Sequence, residues 1–313
     1  MSRHRGLAPP AAAARTATDH GLASPPAAAR TATLVASRRG VEITAAGAVG
    51  AAALVLYLPV LRDLVVVWRD VSYYSYGFLI PLFSAYLAWD ALRASPPGVS
   101  GEAPSRPVRA GFLIMAAGVA ALGLGVAAGS LTLRALALPV VLMGLVLALL
   151  GAAHARRLAF PIGFLVFMAP LPDGALPALS LPLQQLAAAV AEHALRVLGV
   201  SVVRHDLFLR LPSVTLHVTE ACNGLRFLLA MLVIGAAFAG ALRLSRLGRV
   251  GLVLAALALA IFANFVRVTG TGVMAEIWGP RAAMGLTHVV WGKAVYAAAL
   301  VPFAGLVLVL RRR

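Results

Sequence analysis

The stretch LPALSLPLQQLAAAVAEHALRVL, residues 176–198, decides how the whole chain is threaded. Its length and apolar content suit a membrane span, yet it carries Gln184, Gln185, Glu192, His193 and Arg196. That pattern fits an amphipathic helix on the membrane, or a buried bundle helix, better than a helix facing lipid. If it crossed, the side assigned to every later loop would invert. It is therefore read as external, and the rest of the topology is counted outward from it.

The chain is 61% hydrophobic and 12% charged, which excludes an ordinary soluble domain and indicates a polytopic, all-α membrane protein. Spanning the hydrocarbon takes roughly 20 residues at ~1.5 Å each. Runs that meet this lie near 42–61, 74–92, 109–129, 133–152, 156–171, 224–242, 247–266 and 288–310, giving about eight spans. The fifth is short and ends in the turn signal Pro170-Leu171-Pro172-Asp173-Gly174. Arginines set the orientation. They precede the first span and follow the second (Arg93, Arg106, Arg109), the fourth (Arg156, Arg157) and the sixth (Arg243, Arg246, Arg249), and Arg311–Arg313 close the chain. Both termini are therefore expected on the cytoplasmic side. A net charge of +16 then reflects loops facing anionic lipid, and nucleic acid is not expected as a partner.

Residues 1–40 are Ala, Pro, Thr and Arg without apolar periodicity, and Leu7–Thr18 recurs loosely as Leu22–Thr33. Such a segment buries too little surface to fold and reads as a disordered basic tail ahead of a membrane domain over 41–313. It holds no uninterrupted apolar core before a cleavage site, so it does not read as a secretory signal.

Downstream of the central stretch, Val200–Val218 alternates apolar and polar residues, with Leu207, Leu209, Leu211 and then Val214, Leu216, Val218 around Pro212-Ser213. Two short strands and a turn are expected, forming with the helix an external insertion that delivers the chain to Thr219-Glu220-Ala221-Cys222-Asn223-Gly224-Leu225-Arg226-Phe227. Cys222 is the sole cysteine, so no intrachain disulfide forms. Its place at the mouth of an apolar run favours thiolate, through the partial positive charge and free N–H groups of a helix start. A lone cysteine as small apolar filler is the bland alternative.

With this topology Cys222 opens the sixth span, Arg267 ends the seventh after Asn264-Phe265-Val266, and His288 opens the eighth. Each of the latter two has an ordinary reading, as a snorkelling anchor or an interfacial ring. Together on one leaflet they make a workable acyl-transfer site. Cys222 would attack a carbonyl and His288 would carry the proton. Arg267 would stabilise thiolate or oxyanion, with the N–H groups of Asn223 and Gly224 adding to an oxyanion hole. His217, near Cys222 in sequence, competes for the base role, ahead of His205 and His193. No paired His spacing or acidic cluster supports a metal, and no cofactor is expected.

These residues resemble the exosortase/archaeosortase family of polytopic transpeptidases over about 55–313. The likeness rests on Tyr74-Ser75-Tyr76-Gly77-Phe78-Leu79-Ile80-Pro81 with Tyr86-Leu87-Ala88-Trp89, and on Leu158–Leu165 with Pro170-Leu171-Pro172. It continues through Glu220-Ala221-Cys222-Asn223-Gly224-Leu225-Arg226, Ala263-Asn264-Phe265-Val266-Arg267 and His288. Many members have Ser at the position of Asn223 and His at that of Tyr76.

The resemblance implies Cys222 as nucleophile with Arg267 and His288 as partners, supported by Glu220, Asn223, Gly224, Arg226 and Asn264. It implies cleavage of C-terminal sorting signals, made of a short motif such as Pro-Glu-Pro, a transmembrane helix and a basic cluster. The partners would be such anchored proteins, an acceptor nucleophile and the bilayer. The place would be a bacterial inner membrane, with the site facing the exterior. The other readings are a non-enzymatic component of polysaccharide export or transport, and an acyltransferase working on a lipid thioester. The first of these calls for polar residues at mid-bilayer, which are scarce in these spans.

Overall fold

The computed structural model describes residues 51–52, 55–93, 109–242 and 244–312. The tail expected over 1–40 and the beginning of the first expected span lie outside the described residues, as does the loop carrying Arg106. Lipid offers no hydrogen-bond partner to an exposed backbone, so apolar runs resolve into helices. They are α1 (55–70), α2 (Leu79–Arg93), α3 (Arg109–Ala127), α4 (Leu131–Leu149), α5 (Gly151–Phe164), α6 (Ala175–Val197), α7 (Leu225–Ala241), α8 (Arg246–Trp278) and α9 (Gly285–Arg312). Among the described residues, four stretches are long and apolar enough to cross a membrane: Arg109–Ala127, Leu131–Met168, Arg246–Trp278 and Gly285–Arg312. α7 is apolar but shorter.

Several boundaries differ from the sequence expectation. The fourth and fifth runs part at Leu150-Gly151, where Gly151 takes φ 80°, and the chain turns back so that Leu165 and Met168 pack with Ala135 and Val141 of α4. Arg156 and Arg157 therefore lie inside α5, not in a loop. The second run begins with a 3-10 segment, Ser72–Phe78, in which Gly77 lies close on the Trp68 ring. Trp68 Nε1 in turn donates to the Met168 carbonyl at 3.0 Å.

The largest change is in α8. It does not end at 266 but runs 33 residues, about 50 Å at 1.5 Å per residue, with Arg267 well inside it. Gly270 and Gly272 weaken a helix in isolation. Here they admit Trp291 and Leu195 to close contact, and that packing holds the extension.

The amphipathic stretch 176–198 folds as α6. Ala187, Ala188, Ala191 and Leu195 are fully buried against Val268 of α8 and the small sheet. Polar Ser180 and Gln184 are buried too and bond each other at 2.7 Å. Where two strands were expected there are three, β1 (Val203–His205), β2 (Phe208–Arg210) and β3 (Thr215–His217), antiparallel in that order. The extra hairpin turns on Asp206, whose φ of 55° suits the short Asx side chain. Leu209, Leu211 and Val218 point inward onto α6, which fixes the position of the segment entering Cys222.

Candidate active site

The chain reaches the nucleophile candidate through a 3-10 turn, Glu220–Cys222, just ahead of α7. Asn223 organises this turn. It is buried, its Oδ1 accepts the Leu225 N–H at 2.8 Å, and its Nδ2 donates to Ser180 Oγ at 2.6 Å and Tyr73 Oη at 3.3 Å. The first orphan N–H of α7 is thereby capped by a side chain. Gly224 follows with φ 75°, and a Cβ there would stand 2.6 Å from Asn264 Cγ. Only glycine meets both demands.

The backbone N–H of Asn223 is directed to the Glu220 carbonyl at 3.3 Å. The expected contribution of that amide to an oxyanion hole is thus taken up by the turn itself. Cys222 is also displaced from the helix start, with its N–H given to the Thr219 carbonyl at 2.8 Å. Thr219 Oγ1 lies 4.0 Å from the Cys222 sulfur.

Cys222, Arg267 and His288 line one cavity of about 190 Å³, together with His217 and Thr219 and an apolar wall that includes Leu209, Leu216 and Val268. Three elements far apart in sequence thus meet. Arg267 Nη2 donates to His288 Nε2 at 3.3 Å, and Nη1 donates to Tyr296 Oη at 3.2 Å. A guanidinium has no acceptor, so the Nε2 lone pair of His288 faces Arg267 and the ring hydrogen sits on Nδ1. That Nδ1 is buried without a partner among the described residues. The Arg267 carbonyl is held by Trp291 Nε1 at 2.9 Å and Thr271 Oγ1 at 2.8 Å. His217 approaches from β3 and stacks on Phe208 at 4.4 Å.

The other expected residues divide. Asn264 is buried at the site, and its Nδ2 donates to the Cys222 carbonyl at 3.0 Å. Glu220 is exposed and lines a separate cleft with Ser180, Gln184 and Thr219. Arg226 is exposed in the first turn of α7. Neither lines the Cys222 cavity.

Sequence reasoning missed Ser180 and Tyr73, which meet Asn223 only through tertiary packing, and Gln184, which bonds Ser180 behind it. It also missed Trp291, and Tyr296, for which a signal existed. His288, Gly292 and Tyr296 are spaced i, i+4, i+8, and Asn264, Arg267 and Thr271 are spaced i, i+3, i+7, so each set shares a helix face.

No curated protein and no solved structure matches the chain. A family model described as transmembrane exosortase (Exosortase_EpsH) matches residues 68–305, a range that contains every residue lining the Cys222 cavity. The chain is a multi-pass membrane protein and belongs to the transmembrane exosortase family.

Proposed function

We propose that this exosortase is a cysteine transpeptidase that removes C-terminal sorting signals from exported proteins and passes the shortened chain to an acceptor. One observation carries the reading: Cys222, Arg267 and His288, from three separate elements, converge on one cavity.

The Cys222 thiol gives its proton to an imidazole, and the thiolate attacks the carbonyl of the scissile peptide bond. Arg267, charged at any working pH, stabilises first the thiolate and then the oxyanion. The C–N bond breaks, the leaving amine takes the proton, and the acyl group stays on sulfur as a thioester. An acceptor amine or water then attacks the thioester and restores the thiol. His288 is the assigned proton carrier. Its Nε2 is engaged by Arg267 in the free enzyme, so bound substrate must loosen that contact for the ring to serve. The reading of the topology goes with it: eight crossings, both termini in the cytoplasm, and the cavity on the exterior side of the inner membrane. The arginines at the start of α3 (Arg109), at the start of α8 (Arg246, Arg249) and at the end of α9 (Arg311, Arg312) support this side.

The test compares the producing cell with and without Cys222→Ala, reading the C-terminal peptides of its exported proteins by mass spectrometry. Cys222→Ala should leave apolar C-terminal helices and basic tails attached, while the variant still accumulates in membranes. Unchanged processing would refute the function. In the same assay His288→Ala should be inactive and His217→Ala active. The reverse outcome moves the proton transfer to His217.

A further inference from the structure

We infer that Tyr296, one turn beyond Gly292 on α9, is a positioning residue that fixes the Arg267 charge relative to the Cys222 thiol. The inference rests on the roles proposed above for those two residues. Tyr296 touches neither of the other two cavity partners, His217 and His288, by any hydrogen bond among the described residues, and it acts through Arg267.

Its hydroxyl is the middle of a directed chain. Arg267 Nη1 donates to Tyr296 Oη at 3.2 Å, Tyr296 Oη donates to Asn264 Oδ1 at 3.2 Å, and Asn264 Nδ2 donates to the Cys222 carbonyl at 3.0 Å. Every donor points the same way, from the cation toward the backbone of the cysteine. Bonds aligned like this polarise one another. The order also fixes the Asn264 amide, because a flipped amide would set its oxygen against the Cys222 carbonyl, two acceptors face to face.

The hydroxyl can hold this place because the ring cannot drift. Phe227, in the first turn of α7, stacks on Tyr296 with centroids 4.2 Å apart and planes 18° from parallel. The chain thus spans all the parts of the site. α7 pins the ring, α9 supplies the hydroxyl, α8 supplies Asn264 and Arg267, and the turn before α7 carries Cys222. The other end of the guanidinium rests on His288 at 3.3 Å. Loss of the hydroxyl removes an acceptor of Nη1 and so weakens the hold on the guanidinium from the Tyr296 side. A tyrosine merely satisfying its own hydroxyl inside a bundle would have no effect on the thiol.

Cys222 is the only cysteine, so alkylation of the purified full-length protein reports on this thiol alone. The experiment measures the rate of iodoacetamide modification against pH, by intact mass, in detergent micelles. Iodoacetamide reacts with thiolate, so the midpoint of the profile reads how strongly the surroundings favour it. Tyr296→Phe keeps the ring and its stack on Phe227 and removes one oxygen. Its profile should move about one pH unit to the alkaline side, which is roughly tenfold slower modification near neutral pH. Arg267, His217, His288, Tyr73, Glu220 and Arg226, the other ionisable groups around the turn, are unaltered in this variant.

Arg267→Lys should shift the profile at least as far. Tyr296→Phe combined with Arg267→Lys should add nothing to Arg267→Lys alone, because the tyrosine works through the guanidinium. Phe227→Leu keeps the hydroxyl but frees the ring, should give a smaller shift of the same sign, and carries the test if Tyr296→Phe fails to accumulate. Wild-type profiles for both Tyr296→Phe and Phe227→Leu would overturn the inference. So would additive shifts in the double variant. None of these readings depends on processing, so they stay distinct from the fate of the proposed function.

Discussion

Gly224 shows how much of the site depends on single residues. A side chain there meets a left-handed backbone, with φ 75°, and also the Asn264 amide that holds the Cys222 carbonyl. Gly129 makes the contrast, with φ 63° and nothing within 4 Å of where a Cβ would stand. Left-handed backbone alone costs a non-glycine residue roughly 1–2 kcal/mol. Gly129→Ala should therefore lower thermal stability in detergent by that amount and leave processing intact. Gly224→Ala should lose more stability than that and also most of its processing, because Asn264 must move. Equal processing in the two variants would show that Asn264 does not support the nucleophile.

At the scale of elements, α8 and α9 lock through two glycines facing two large side chains. A Cβ on Gly270 would come 2.2 Å from the Trp291 ring, and one on Gly292 would come 2.8 Å from Arg267 Nε. Trp291 also donates to the Arg267 carbonyl, so the same turn of α9 holds both the main chain and the side chain of the arginine. Gly292→Ala should displace the guanidinium while leaving the helix intact. Removing one oxyanion-stabilising donor typically costs about 10²–10³ in rate, and a loss in that range is expected in the processing assay. Gly305→Ala, on the same helix with open space around it, should process normally. It should stabilise the helix slightly, since alanine outranks glycine in a helix by about 1 kcal/mol. Away from this lock, Glu192 of α6 binds Arg204 of β1 at 3.0 Å and Arg196 at 2.6 Å, tying the sheet to the helix that carries Ser180 and Gln184.

At the scale of the molecule, the hydrocarbon of a bilayer is about 30 Å thick. The 33 residues of α8 therefore exceed it, and the part beyond Arg267 packs with α6 and the sheet. Reporter fusions after positions 175, 215 and 280 should all report the exterior side. A cytoplasmic signal at 215 with an exterior signal at 175 would make α6 a crossing helix and reverse the sides assigned to all later loops.

Local properties of the sequence were enough to mark this chain as a helical membrane protein, to place the apolar runs, and to single out Cys222, Arg267 and His288. Hydropathy, arginine bias and turn residues act over a few residues, so they can be read without a fold. The third strand hinges on Asp206 adopting a left-handed turn, and the break at Leu150-Gly151 hinges on one glycine's φ; sequence only permits such choices. That α8 continues through Gly270 and Gly272 depended on Trp291 and Leu195 arriving from other helices. The chain from Arg267 through Tyr296 and Asn264 to Cys222 joins residues up to 74 positions apart, since Tyr296 and Cys222 differ by that number. Which helix faces meet at that distance is set by the rotation of each packed helix, and only the tertiary structure decides it.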